Sequence, residues 1–160
     1  YGVNAADPIV AGDDFFISTG YGKGAALVKP VEGAEPEVIW KSKVLRTQQA
    51  PGVLINGYVY GVDGDAGSPA TLKCIELKTG KEKWSHPLGF GAVSAAGDKL
   101  IVISAKGELM VAPASPDGFQ PISQAQVLGV NCWTVPVLAN GIVYCRNSKG
   151  DVVAVDLRKK

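Results

Sequence analysis

Between Cys74 and Trp84 the chain reads CIELKTGKEKW. A strand-like segment runs into a Lys-Thr-Gly-Lys turn, and a second short strand carrying a tryptophan follows. Alone, this is an ordinary hairpin. Its meaning changes if the rest of the chain repeats it, because one four-stranded sheet cannot cover both of its own faces, whereas stacked sheets can. The decisive reading is therefore self-similarity.

Four segments share one layout: PIVAGDDFFISTG from Pro8, GVLINGYVYGVDG from Gly52, VSAAGDKLIVISAKG from Val93 and PVLANGIVYCRNSKG from Pro136. Each is an apolar strand, a tight turn near a glycine, a second apolar strand and a polar loop. The turn glycines Gly12, Gly57, Gly97 and Gly141 are separated by 45, 40 and 44 residues. Asn56-Gly57 and Asn140-Gly141 are strong hairpin pairs, since both central residues of a type I′ turn need positive φ. A second hairpin follows in each period. TLKCIEL turns at KTGK into EKW, AALVKPV turns at EGAEP into EVIW, and ELMVAPA turns at SPDGF toward AQVL. VVAVDL begins the same way near the end of the chain, and Trp40 and Trp84 lie 44 residues apart. The opening stretch is thus the third strand, turn and fourth strand of a four-stranded unit.

Such periods of about 40–45 residues are the mark of a β-propeller. We expect an all-β chain of four antiparallel units, at approximately 1–46, 47–88, 89–130 and 131–160, the last incomplete. A β-sandwich would need four aligned turns to arise by coincidence. Only 19 residues follow Gly141 and 11 precede Gly12, fewer together than one unit needs. The expectation is half of a larger, about eight-bladed ring, completed by a second copy or by a missing N-terminal half.

Composition narrows the function. Hydrophobic residues make up 46% and charged residues 19%, as in a globular protein. The net charge of +1, with both signs scattered, lacks the basic stripe of a nucleic-acid surface. No apolar run reaches the ~18 residues of a membrane-spanning helix. Twenty glycines and ten prolines punctuate many short segments, as turns between strands require. Cys74, Cys132 and Cys145 form no C-x-x-C pair and His86 is the single histidine, so no metal site is expected. The cysteines read as small buried hydrophobes. DGDAG at 63–67 begins like a calcium loop, but Cys74 stands where the twelfth-position acid belongs. GYGKG at 20–24 lacks the spacing and following helix of a phosphate loop. No serine or cysteine has an evident base, and no catalytic residue is assigned.

The opening stretch resembles the tryptophan-docking repeat of the pyrroloquinoline-quinone-like (PQQ-like) propellers: small residue, x, acid, x, x, Thr-Gly-x-x-x-Trp. Glu76, Thr79, Gly80 and Trp84 fill the acid, Thr, Gly and Trp places. The fourth unit repeats only the start, as Ala154-Val155-Asp156. The first keeps Trp40 without the Thr-Gly turn, and the third has ASPDGFQP and no tryptophan. GYVYGVDG, LKCIELKTG and WTVPVLANGIVYCRN are similar to the C-terminal half of larger bacterial proteins of this family. The resemblance implies bacterial origin and an exported location, periplasmic or cell-surface. It implies that Glu76, Thr79, Gly80, Trp84 and Trp40 are a docking device between strands and blades, with both tryptophans mostly buried near the outer strand.

Three readings of function remain to be weighed against one another. A quinone-dependent dehydrogenase of this family is expected to have calcium with carboxylate and amide ligands, a catalytic Asp and often adjacent cysteines over the cofactor. This chain has no adjacent cysteines, and four units would not enclose the cofactor as larger rings do, so PQQ and calcium belong only to that alternative. The first reading is a non-catalytic binding or scaffold module, and a carbohydrate- or peptide-binding surface module is a third. Loops from a fourth strand to the next first strand border the channel mouth of a propeller. LRTQQAP (Leu45–Pro51), GVNCWTVP (Gly129–Pro136) and the initial YGVNAADP occupy that position. Arg46, Gln48, Gln49, Asn131 and Trp133 there offer donors and an aromatic platform for a protein or small polar ligand. The plainer reading, which outweighs this one, is that Trp133 packs between blades and the others are solvated loop residues.

Overall fold

The computed structural model describes residues 4–158, and among them the regular structure is entirely β-strand. The first sheet is β1 (Ile9–Ala11), β2 (Asp14–Thr19), β3 (Gly24–Lys29) and β4 (Glu37–Ser42). The second is β5 (Val53–Ile55), β6 (Tyr58–Asp63), β7 (Thr71–Glu76) and β8 (Glu82–Pro87). The third is β9 (Gly91–Ala96), β10 (Lys99–Ser104), β11 (Glu108–Pro113) and β12 (Ser123–Gln126). The fourth has three strands, β13 (Val137–Ala139), β14 (Ile142–Arg146) and β15 (Val152–Asp156). Neighbours pair in sequence order and antiparallel throughout. These are propeller blades, and the four do not close into a ring. First strands β1, β5 and β9 lie against one another in succession, so they form the inner edge and β4, β8 and β12 the outer.

The inner hairpins explain the uneven glycine spacing. Asn56 (φ 50°) and Gly57 (φ 83°) form a type I′ pair, as do Asn140 (φ 52°) and Gly141 (φ 76°). Gly12 (φ 68°) and Gly97 (φ 58°) instead hold the first central position, followed by aspartates outside positive φ, the type II′ arrangement. The equivalent positions are therefore Gly12, Asn56, Gly97 and Asn140, separated by 44, 41 and 43 residues.

Period-2 alternation sends successive side chains of a strand to opposite neighbours. In β6, Val59 packs with Phe16, Leu27 and Ile75 at the first junction. Tyr60 and Val62 pack with Val93, Leu100 and Val102 at the second. At the third, Ala92, Ile101, Ile103 and Leu109 meet Val143 and Cys145. Each aliphatic side chain so buried contributes about 1.5–3 kcal/mol.

Tryptophans bind the outer edge. Trp40 Nε1 donates to Leu77 O (2.8 Å), in the turn of the next blade, and Trp84 Nε1 donates to Ser115 O (2.8 Å), one blade further on. A bulge beside each one, at Leu27/Val28 and Cys74/Ile75, interrupts the register where the indole must be aimed. The Thr79 hydroxyl donates to Glu76 Oε2 (2.5 Å) and accepts from Lys81 N (3.2 Å), which holds the receiving turn. Gly80, at φ 67°, lies under the Trp40 ring: a Cβ there would stand 2.9 Å from an indole carbon. Both indoles are mostly covered, as the sequence led us to expect, while an outer strand leaves part of each ring to solvent. In the third blade Ser123, paired with Val111, occupies the place of Trp40 and Trp84.

Trp84→Ala is expected to lower stability by about 2–4 kcal/mol, below the ~3–5 kcal/mol of a fully buried tryptophan. Gly80→Ala should cost about 1–3 kcal/mol, through strain at positive φ and the clash with Trp40. Urea unfolding midpoints measure both, and unchanged midpoints would remove the docking role.

Candidate functional site

Alternate strands run in opposite directions, so loops from a fourth strand to the next first strand share one end of each blade with the loops after second strands. A repeated hydrogen bond ties the two kinds of loop together. Gly64 N donates to Arg46 O (3.1 Å), Ala105 N to Phe90 O (2.5 Å) and Ser148 N to Asn131 O (3.0 Å). Ser18 spans the first junction: its hydroxyl donates to Leu45 O (2.9 Å) and accepts from Thr47 N (3.0 Å). This end forms the candidate rim. Residues 1–3 of its first segment lie outside the described residues.

Asp63, Ser104 and Asn147, each at or just past the end of a second strand, are buried polar residues that organise the rim. Asn147 Oδ1 accepts from Lys149 N and Asp151 N (both 3.0 Å), and Ser104 Oγ accepts from Glu108 N (3.2 Å). Asp63 is the charged member. It accepts from Arg46 N (2.7 Å), Nε (2.9 Å) and Nη2 (2.8 Å), and Lys73 Nζ stands 3.1 Å away. Lys73 also pairs with Glu82 (3.0 Å) and donates to Val44 O (3.0 Å). Burial by itself raises the Asp63 pKa, but the hydrogen bonds from Arg46 and Lys73 outweigh it and hold the carboxyl below its ordinary range. These three residues were not among the sequence-predicted sites, yet each stands seven places after the first turn position of its blade: 56 to 63, 97 to 104 and 140 to 147.

The predicted rim residues divide by environment. Arg46 spends its guanidinium on Asp63, and Gln48 Oε1 accepts from Ala66 N (2.8 Å), fastening the neighbouring loop. Gln49 and Asn131 are exposed. Trp133 is half-buried, edge-on to Phe90 with ring centroids 6.0 Å apart. Ala50 and Cys132, from the two loops, pack against the same core cluster, so both loops reach one region. The docking residues Glu76, Thr79, Gly80, Trp84 and Trp40 are engaged between blades, as described above.

A quinone with its calcium does not fit these residues. The buried carboxylate of the rim, Asp63, is already saturated by Arg46 and Lys73. Cys74, Cys132 and Cys145 sit in interblade cores, where burial pushes the Cys74 and Cys145 thiols up to about 11 and also raises Cys132. Among the described residues no group of three or more His, Cys, Asp or Glu is placed to hold a metal ion. No described helix is long and apolar enough to cross a membrane.

The family model for the outer membrane protein assembly factor BamB matches residues 2–86. No curated protein matches the chain in sequence. Among solved structures, BamB from Moraxella catarrhalis superposes with a TM-score of 0.71 at 17% identity, over 93% of this chain and 42% of that one. The chain therefore spans less than half of that protein. The computationally designed Ika8 protein matches with a TM-score of 0.68 at 13% identity, over 95% of this chain and 45% of its own. The designed Ika4 protein matches with a TM-score of 0.72 at 13% identity, over 98% and 92%.

A carboxyl with a depressed folded pKa stabilises the fold above its unfolded value, near ~4, and that stability is lost as pH falls through the folded value. Asp63→Asn is expected to cost about 2–3 kcal/mol at pH 7, under the ~3–5 kcal/mol of a fully buried pair because Arg46 is 41% exposed. Between pH 5 and pH 2 the variant should lose less stability than the parent. Urea midpoints across that range decide it, and parallel pH curves would show that the cluster stabilises nothing.

Proposed function

This chain belongs to the BamB-type family of PQQ-like β-propeller repeat proteins, and on that premise we propose that it is a non-catalytic scaffold or binding module of a bacterial exported protein. The family match over residues 2–86 carries the reading. The use of its polar groups agrees with it. Asp63, Arg46, Lys73 and Gln48 are committed to holding loops, which suits a rigid frame rather than a reaction centre. The same kinship with an outer-membrane assembly factor supports a periplasmic or cell-surface setting.

The rim is the proposed contact surface. Gln49 and Asn131 are exposed, with amides that both donate and accept, and the partly exposed Trp133 follows Asn131 on the same loop. An aromatic platform flanked by adaptable hydrogen-bonding groups suits an extended peptide segment, whose backbone offers the complementary donors and acceptors. The loops carrying these residues are tied down by the repeated backbone bonds, so little ordering cost falls on binding.

A displayed library of random peptides, panned against the purified chain, tests this. Selected peptides should bind the Gln49→Lys/Asn131→Lys variant at least about 10-fold more weakly, a loss of ~1.4 kcal/mol. Peptides that bind parent and variant equally, or a shift of the quinone absorbance when PQQ and calcium are added, would overturn the reading.

A further inference from the structure

The repeated hydrogen bond at the rim fixes a pair of positions in the second, third and fourth blades. The residue after each acceptor is Thr47, Gly91 or Cys132, and three places before each donor stand Gly61, Val102 and Cys145. In the second blade the volume lies on Thr47 and Gly61 is bare. In the third Gly91 is bare and the volume lies on Val102. In the fourth both positions carry a sulfur. Thr47, Val102 and Cys132 are fully buried, and Cys145 is 4% exposed.

The second blade shows how near the two positions come. A Cβ at Gly61 would stand 3.3 Å from the Thr47 Cγ2. The Thr47 Cβ is one bond behind that methyl, so the two Cβ positions come close to the about 3.5–4.5 Å that a disulfide spans. In the fourth blade Cys132 and Cys145 belong to one core cluster, with Ile101, Ile103 and Val143. Burial raises the Cys145 thiol first and the neighbouring Cys132 raises it further, which places the two sulfurs within electrostatic reach. Cys132 Sγ donates to Gly129 O (3.1 Å), a contact given up when the sulfur turns toward Cys145. Cys74 lies in a different cluster, around Tyr60 and Leu72.

We propose that Cys132 and Cys145 are a redox pair that closes into a disulfide and staples the Gly129–Pro136 loop to β14. The oxidant is another disulfide, of a small thiol or of a protein. One cysteine, as thiolate, attacks a sulfur of that disulfide and expels one thiolate; the other attacks the mixed disulfide and expels the second. One S–S bond forms as the oxidant's S–S bond breaks, two electrons pass to the oxidant, and the two thiol protons leave on its reduced halves. Burial disfavours both thiolates, so the exchange belongs to folding, before the loop seats. Cys132 lies between Asn131 and Trp133, so the bond holds down the rim loop that carries both. Its persistence needs an oxidising compartment and in that respect rests on the exported setting proposed above.

The test is to refold the whole chain in a glutathione redox buffer, alkylate it and digest it with trypsin. Trypsin cuts after Lys106 and Arg146, so both cysteines fall in residues 107–146 and Cys74 falls in another peptide. Residues 107–146 should escape alkylation and weigh about 2 Da less than their dithiol form, and should take up both alkyl groups only after reduction. The oxidised chain should melt roughly 5–10 °C above the reduced one, a difference that Cys132→Ala abolishes and Cys74→Ala keeps. A peptide that retains two alkylatable thiols, carries glutathione or is joined to Cys74 would overturn the proposal, as would a bridge that lowers the melting temperature. Where Cys132→Ala does not fold, the oxidised and reduced parent chains decide by themselves. Exchange in the tube is independent of any cell compartment. A missing bridge would therefore sink this proposal and leave the scaffold reading standing, and a rim that binds no peptide would leave the bridge standing.

Discussion

The interior strands serve two cores at once, and the structure follows from that constraint. In β6 Val59 faces one neighbour and Tyr60 the other, and both are almost fully buried. A strand in that position has no solvent side to give to charged residues, so β10 reads KLIVIS, with its lysine at the very edge. Charge is displaced to the outer strands and the loops: β8 carries Glu82, Lys83 and His86, and exposed residues alternate with partly buried ones along it. The same rule penalises whichever blade lacks a neighbour, because its apolar second face is already written into the sequence.

At the rim a different economy holds. Backbone groups that leave a sheet need partners, and the polar residue closing each second strand supplies them. Asp63 does this with two cations, Ser104 with a hydroxyl and Asn147 with an amide that bonds to its own loop. The consequence is a frame whose loops are fixed from within, leaving Gln49, Asn131 and part of Trp133 to face outward. Binding residues on a preorganised frame lose little freedom when a partner arrives.

Strand order and the four blades were legible because turn chemistry and apolar runs recur at a near-constant period. The blade register was less so. Glycine serves at the first turn position in Gly12 and Gly97 but at the second in Gly57 and Gly141, so aligning glycines misplaces alternate blades by one residue. The buried position seven residues on escaped notice because Asp63, Ser104 and Asn147 share a role and a place but no residue type. The partnership of Arg46 with Asp63 was invisible for another reason: it joins two loops 17 residues apart, and only the fold brings them together. The tryptophans fall on the expected strand and are mostly covered, because one repeat position sets both the strand and the neighbouring turn that receives the indole.

Ser123 has a further consequence. The first two seams between blades are clamped at the outer edge by an indole bonded across the gap, and among the described residues the third has no such indole. There the blades adhere through the inner core around Ile101, Ile103, Val143 and Cys145 and through the Gly129–Pro136 loop, where Cys132 N donates to Ala105 O (3.1 Å) and Ser148 N to Asn131 O (3.0 Å). A wedge of thermal motion entering from outside meets no latch at that seam. The molecule is thus built as three blades tightly clasped and a fourth on a looser hinge, and a pull on its two ends would part it there first.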